Sequence, residues 1–67
     1  KLSYKEQKEL EQLEVDLAQL AEERQTIEAE LSSGSLPYDR LNEASKRIEE
    51  IIALVDEKEL RWLELNE

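Results

Sequence analysis

The sequence predicts an all-α fold, a two-helix antiparallel coiled-coil hairpin, from three observations. Two series of apolar residues recur three and four residues apart, as on the seam of a coiled coil. A short segment of turn-forming residues separates them, and 40% of the chain is charged with one Gly and one Pro. The first series is Leu10, Leu13, Leu17, Leu20, Ile27 and Leu31, and the second is Leu41, Ala44, Ile48, Ile51, Val55 and Trp62. Because the series match in length, we expect two helices packed side by side in opposite directions.

The first helix is predicted over about residues 4–31. Ser3-Tyr4-Lys5-Glu6 has the pattern of a capping box, in which the Ser3 hydroxyl accepts a backbone N–H and the Glu6 carboxylate reaches back. Residues 32–35 end the helix, because Gly34 adopts the left-handed C-terminal conformation at little cost and Ser favours turns.

The second helix is predicted over about residues 38–65, after a turn at 32–37. Pro37 suits the first turn of a helix, where its missing N–H is no loss, and Asp39 adds negative charge near the positive end of the helix dipole. Two cations, Arg24 and Lys58, fall at seam positions. A polar seam residue excludes wrong helix alignments, and we interpret both as register control, with partner binding as the alternative for Arg24.

Composition excludes several function classes. A chain of 67 residues forms one small domain, and its first residue is not Met, so we expect a part of a longer protein. Without Cys or His, the chain lacks thiolate chemistry and the commonest general base and metal ligand. Adjacent carboxylates such as Glu22 and Glu23 are typical of a solvated helix face. The sequence therefore predicts no catalysis, no metal and no cofactor in this chain. A membrane helix is not predicted either, because a run of about 20 apolar residues is absent.

The charges are unevenly distributed along the chain, whose formal net charge is −9. An antiparallel hairpin places the basic start of the first helix beside the end of the second, which would collect four cations and two aromatic rings at one open end. These residues are Lys5, Lys8, Lys58, Arg61, Tyr4 and Trp62. One interpretation is ion pairing with neighbouring carboxylates, with Trp62 packed as a core plug; the other is phosphate contact with stacking on a base.

Several apolar residues of the second helix flank its seam. They are Ile52, Leu54, Leu60 and Leu63. A two-helix seam does not need them, and a wide apolar face generally packs against something. We therefore consider Ile52, Leu54 and Leu60 as a surface for another protein or for self-association.

The two ends of the chain resemble a known family. Residues 1–13, KLSYKEQKELEQL, and residues 58–65, KELRWLEL, are similar to the ends of the C-terminal coiled-coil domain of ABC-F ATPases, the Uup type in particular. The resemblance implies cytoplasmic proteins whose two upstream cassettes bind ATP and Mg²⁺, and which act on ribosomes or nucleic acid. It makes Lys5, Lys8 and Arg61 the candidate phosphate contacts, with Tyr4 and Trp62 as neighbours.

These inferences lead to two hypotheses. In the first, the hairpin is the accessory domain of an ABC-F ATPase and contacts DNA or ribosomal RNA through its basic open end. In the second, it is a purely structural coiled coil for docking to proteins or to itself. The net charge of −9 departs from that of a protein that coats nucleic acid by itself.

Overall fold

The computed structural model describes all 67 residues and confirms an all-α helical hairpin. Helix α1 spans Tyr4–Ser32 and helix α2 spans Tyr38–Leu65. The molecule is a rod with extents of 50 × 15 × 15 Å. Glu9 contacts Arg61 near one end and Glu23 contacts Arg47 farther along, so the two helices run antiparallel.

Local hydrogen bonds define the start of α1. The Ser3 hydroxyl accepts from the Glu6 backbone N–H at 3.1 Å, and the Glu6 carboxylate accepts from the Ser3 backbone N–H at 3.0 Å. This reciprocal pair is the predicted capping box, and it satisfies donors that would otherwise lack partners in the first turn.

The connection between the helices follows from its residue types. The Ser33 backbone N–H closes the last turn of α1 on the carbonyls of Ala29 and Glu30. Gly34 then takes φ +71°, a left-handed conformation that costs a side-chain-bearing residue about 1 kcal/mol. Pro37 lies at the N-cap of α2 in an extended conformation, one position before the first turn where we had placed it. Its carbonyl accepts the first helical hydrogen bond, from the Leu41 backbone N–H.

The core of the hairpin is a single thin line of side chains. Five residues are buried, and Ile51 alone has no exposed surface. They are Leu13, Leu20, Ala44, Ile51 and Leu65. Leu65 was absent from the predicted seam although it lies seven residues after Lys58, in the heptad series of Ala44 and Ile51. Neither helix is long and apolar enough to cross a membrane.

The seam prediction was wrong for Leu41, which is 38% exposed, and for Arg24. The Arg24 side chain is 44% exposed and pairs with Glu28 of the same helix, whereas the preceding residue, Glu23, is half-buried against α2.

Three acids that each precede a seam position of α1, Glu9, Asp16 and Glu23, are half-buried. The interface therefore extends to this side of α1, while Leu13 and Leu20 are buried at the seam as predicted. Lys58 also lies at the interface as predicted, and its ammonium group is paired with Asp16.

Candidate nucleic-acid and partner surfaces

One edge of the hairpin carries three ion pairs between the helices, and we call it the ion-pair edge. The carboxylates come from α1 at heptad spacing, and the cations come from α2. The pairs are Glu9 with Arg61, Asp16 with Lys58, and Glu23 with Arg47. Because the acids repeat every seven residues, they all project from the same side of α1.

The arginines of this edge bind their partners with two parallel hydrogen bonds. Arg61 donates from Nε to Glu9 Oε2 at 2.7 Å and from Nη2 to Oε1 at 3.0 Å. Arg47 donates in the same way to Glu23 at 2.6 and 2.9 Å. The Lys58 ammonium donates to Asp16 at 3.2 Å. Bidentate geometry of this kind constrains orientation as well as distance, so this edge specifies the alignment of the two helices.

The hydrogen bonds also shift the acidities of the carboxylates. Donation by Arg61 lowers the pKa of Glu9, and donation by Arg47 lowers the pKa of Glu23. For Asp16, hydrogen bonds from the Gln12 amide and then from Lys58 lower the pKa. In each case the ionised form is stabilised in the folded hairpin.

These lowered pKa values predict a pH dependence of stability. A carboxylate whose folded pKa lies below its unfolded value stabilises the fold above the unfolded pKa, which is about 4. That contribution is lost as pH falls through the folded pKa. We therefore expect the triple variant Glu9→Gln/Asp16→Asn/Glu23→Gln to melt at a lower temperature than the unaltered chain at pH 7. The difference between the two melting temperatures should shrink below about pH 4.

The measurement is thermal unfolding by circular dichroism between pH 7 and pH 2. The matched control, Glu22→Gln/Glu57→Gln/Glu67→Gln, removes the same number of charges from carboxylates that form no ion pair. Protonating unpaired carboxylates relieves repulsion in a chain of net charge −9, which changes the melting temperature of every variant with pH. The test is therefore the difference in melting temperature between each variant and the unaltered chain at the same pH. A difference that stays constant with pH would contradict the prediction.

The four cations predicted at the open end differ in whether a carboxylate pairs with them. Arg61 is held by Glu9 and also donates to Glu64 at 3.3 Å, and Lys58 lies inside the ion-pair edge. Lys8 lies 3.6 Å from Glu11 and 5.5 Å from the centre of the Tyr4 ring. Lys5 has no carboxylate within 4 Å. We had not predicted the ion pair between Glu9 and Arg61. The heptad spacing of the acids at residues 9, 16 and 23 could have indicated that they face α2 together.

The two aromatic residues of the open end also differ. Tyr4 is 79% exposed, so its ring is accessible for stacking. Trp62 is half-buried, and its indole Nε1 donates to the Glu14 carboxylate across the helix interface at 3.3 Å. Trp62 therefore packs as part of the seam, while Tyr4 projects into solvent.

The apolar residues that flank the seam of α2 do not share one face. Ile52, Leu60 and Leu63 are exposed at 41%, 62% and 53%. Leu54 is half-buried and lines a shallow groove with Leu20 and Lys58. Leu54 thus contributes to the α1–α2 interface, and the outward-facing surface contains Ile52, Leu60 and Leu63. No group of three or more Asp and Glu side chains is arranged to hold a metal ion.

The whole chain matches one family. The family model described as the ABC transporter C-terminal domain matches residues 1–67. Comparison with the curated proteins and with the solved structures gave no match. The family match agrees with the antiparallel helical hairpin and with the resemblance of the two chain ends. This chain belongs to the family of ABC transporter C-terminal domains.

Proposed function

We propose that this hairpin is the non-catalytic accessory arm of an ABC-F ATPase of the Uup type, and that it contacts nucleic-acid phosphates through its open end. The membership of the chain in an ABC protein family supports the first part. ATP and Mg²⁺ would bind to the cassettes of the parent protein, in the cytoplasm, and this arm would supply no catalytic group.

The observation that carries the phosphate contact is the set of lysines around the first two turns of α1. Lys1 and Lys5 form no ion pair, and Lys8 has only an exposed partner on its own helix at 3.6 Å. The exposed Tyr4 ring lies among them. Cations that are not already neutralised can displace counterions from a phosphate backbone, and an exposed ring can stack on a base.

The paired cations have a different part in this proposal. Arg61 and Lys58 pair with carboxylates of α1 at the ion-pair edge. In this proposal they keep the two helices packed next to the open end and do not contact phosphate. Of the predicted residues, this proposal keeps Lys5, Lys8 and Tyr4 as the phosphate and base contacts, and it adds Lys1. The acidic remainder of the rod repels nucleic acid, so binding is confined to the tip.

The test is a fluorescence-anisotropy titration against branched DNA, duplex DNA and structured RNA at two salt concentrations. Three lysine contacts predict a slope of log affinity against log salt of about −3 on duplex DNA. We expect Lys5→Gln/Lys8→Gln to abolish most of the binding. The control Arg40→Gln/Lys46→Gln removes the same charge near the closed end and should leave the affinity nearly unchanged.

Two results would overturn the proposal. One is no saturable binding to any of the three nucleic acids at concentrations of tens of micromolar. The other is an equal loss in the Lys5/Lys8 and Arg40/Lys46 variants, which would indicate a general charge effect. If RNA binds and DNA does not, ribosomal RNA becomes the favoured class of nucleic acid.

A further inference from the structure

A straight line of exposed apolar residues runs along the outer side of α2. Its members are Leu41, Ile52 and Leu63, with exposed fractions of 38%, 41% and 53%. They recur every 11 residues, which is three helical turns plus about 20°. Successive members are therefore about 16 Å apart on nearly the same side of the helix. We call this line the α2 stripe.

Three carboxylates lie along the same side as the stripe. Glu49, Asp56 and Glu59 fall within about 60° of Ile52 around the helix axis, and all three are exposed. None of them has a cation within 4 Å. Three cations of α2, Arg47, Lys58 and Arg61, are instead turned to the ion-pair edge, where they bind carboxylates of α1. Lys46, three residues before Glu49, is exposed and forms no ion pair.

The stripe is separate from the core of the hairpin. Ile51 is fully buried against α1, and Ile52 points about 100° away from it around the axis. The stripe is also on the opposite flank of α2 from the ion-pair edge, because Arg47 and Arg61 lie more than about 130° from Ile52. Neither the packing of α1 nor the ion pairs account for apolar residues here.

We propose that the α2 stripe docks a cationic amphipathic helix of a protein. Such a helix would pack its apolar residues against Leu41, Ile52 and Leu63 and place Lys or Arg beside Glu49, Asp56 and Glu59. Charge complementarity selects this occupant: a second copy of the chain would bring unpaired carboxylates against unpaired carboxylates at a net charge of −9 each. Nucleic acid and anionic lipid are repelled for the same reason, so this surface is distinct from the open-end lysines.

The first probe is a synthetic helical peptide of Leu and Lys, about 18 residues long, with its leucines on one face. The comparison peptide has the same composition in a scrambled order that removes the apolar face. By fluorescence anisotropy at physiological salt, we expect the amphipathic peptide to bind at least about 10-fold more tightly than the scrambled one, because only the first can use the apolar stripe.

Two stripe variants and two matched controls locate the site. Ile52→Asp/Leu63→Asp removes the apolar contacts, and Glu49→Gln/Asp56→Asn/Glu59→Gln removes the acids; we expect each to weaken binding about 10-fold or more. Val15→Asp places a charge at an apolar residue of α1 that is 48% exposed. Glu22→Gln/Glu30→Gln/Glu57→Gln removes three acids outside the stripe that form no ion pair. Both controls should stay within about 2-fold of the unaltered chain.

Circular dichroism would verify that every variant retains its helical content. If Ile52→Asp/Leu63→Asp fails to fold, the comparison between the stripe charge variant and the control charge variant still tests the proposal. Equal weakening in the stripe and control charge variants would mean non-specific attraction and overturn the proposal. So would equal binding of the two peptides. A dimer detected by analytical ultracentrifugation and lost in Ile52→Asp/Leu63→Asp would show that a second copy is the occupant instead.

Discussion

Replacing Ile51 by alanine will leave most of the chain unfolded at room temperature. Ile51 is the one residue with no exposed surface, and it lies midway along α2, where the core is a single line of side chains. Truncating a buried Ile to Ala costs about 2–5 kcal/mol. A core of this size seldom leaves more than about 3–5 kcal/mol of net stability, so the loss is comparable to the whole stability of the fold.

The control for this experiment is the adjacent residue. Ile52→Ala makes the same chemical change at a side chain that is 41% exposed, and we expect a cost of about 1 kcal/mol or less. Urea unfolding followed by far-ultraviolet circular dichroism measures both. If Ile51→Ala and Ile52→Ala lower the midpoint equally, α2 is not oriented as described, and the α2 stripe would lose its basis as well.

Replacing Trp62 by alanine will destabilise the open end by about 2–3 kcal/mol. This is below the value of about 3–5 kcal/mol for a fully buried Trp or Phe, because the ring is only half-buried. The substitution removes ring contacts and the hydrogen bond to Glu14 together. Thermal unfolding of the variant measures the sum of the two contributions.

Trp62→Phe separates those contributions, since it keeps an aromatic ring and removes the Nε1 donor. We expect it to cost less than half of the alanine value, because the Glu14 carboxylate remains open to water when the donor is lost. Leu60→Ala is the matched control in the same turn, where the side chain is 62% exposed. An unchanged melting temperature in Trp62→Ala would show that the indole contributes nothing to the helix interface.

The local elements could be predicted from the sequence because their causes are local. The capping box joins residues three positions apart, and the left-handed Gly34 ends α1 within one turn. The heptad spacing of apolar residues indicated both helices and their antiparallel packing. α1 ends one residue later than expected, at Ser32, and α2 begins at Tyr38 as expected.

Less of the candidate sites than of the local elements could be predicted from the sequence. Tyr4, Lys5 and Trp62 were all placed at the open end, but their exposure could not be read from spacing. Leu54 and Ile52 looked equivalent in the sequence, because both flank the seam by one residue. A small rotation of α2 decides that Leu54 faces α1 while Ile52 faces solvent, and that rotation depends on side-chain packing along the entire rod.

The sequence by itself determined two long amphipathic helices, the turn between them and membership in the ABC transporter C-terminal domain family, since periodicity, capping and the chain ends are properties of short segments. The tertiary structure alone decided which cations remain free. Arg61 and Lys58 are joined to Glu9 and Asp16 across 52 and 42 residues of chain. Such pairings exist only after the helices have packed at one rotation and one alignment, and they leave Lys5 available at the open end.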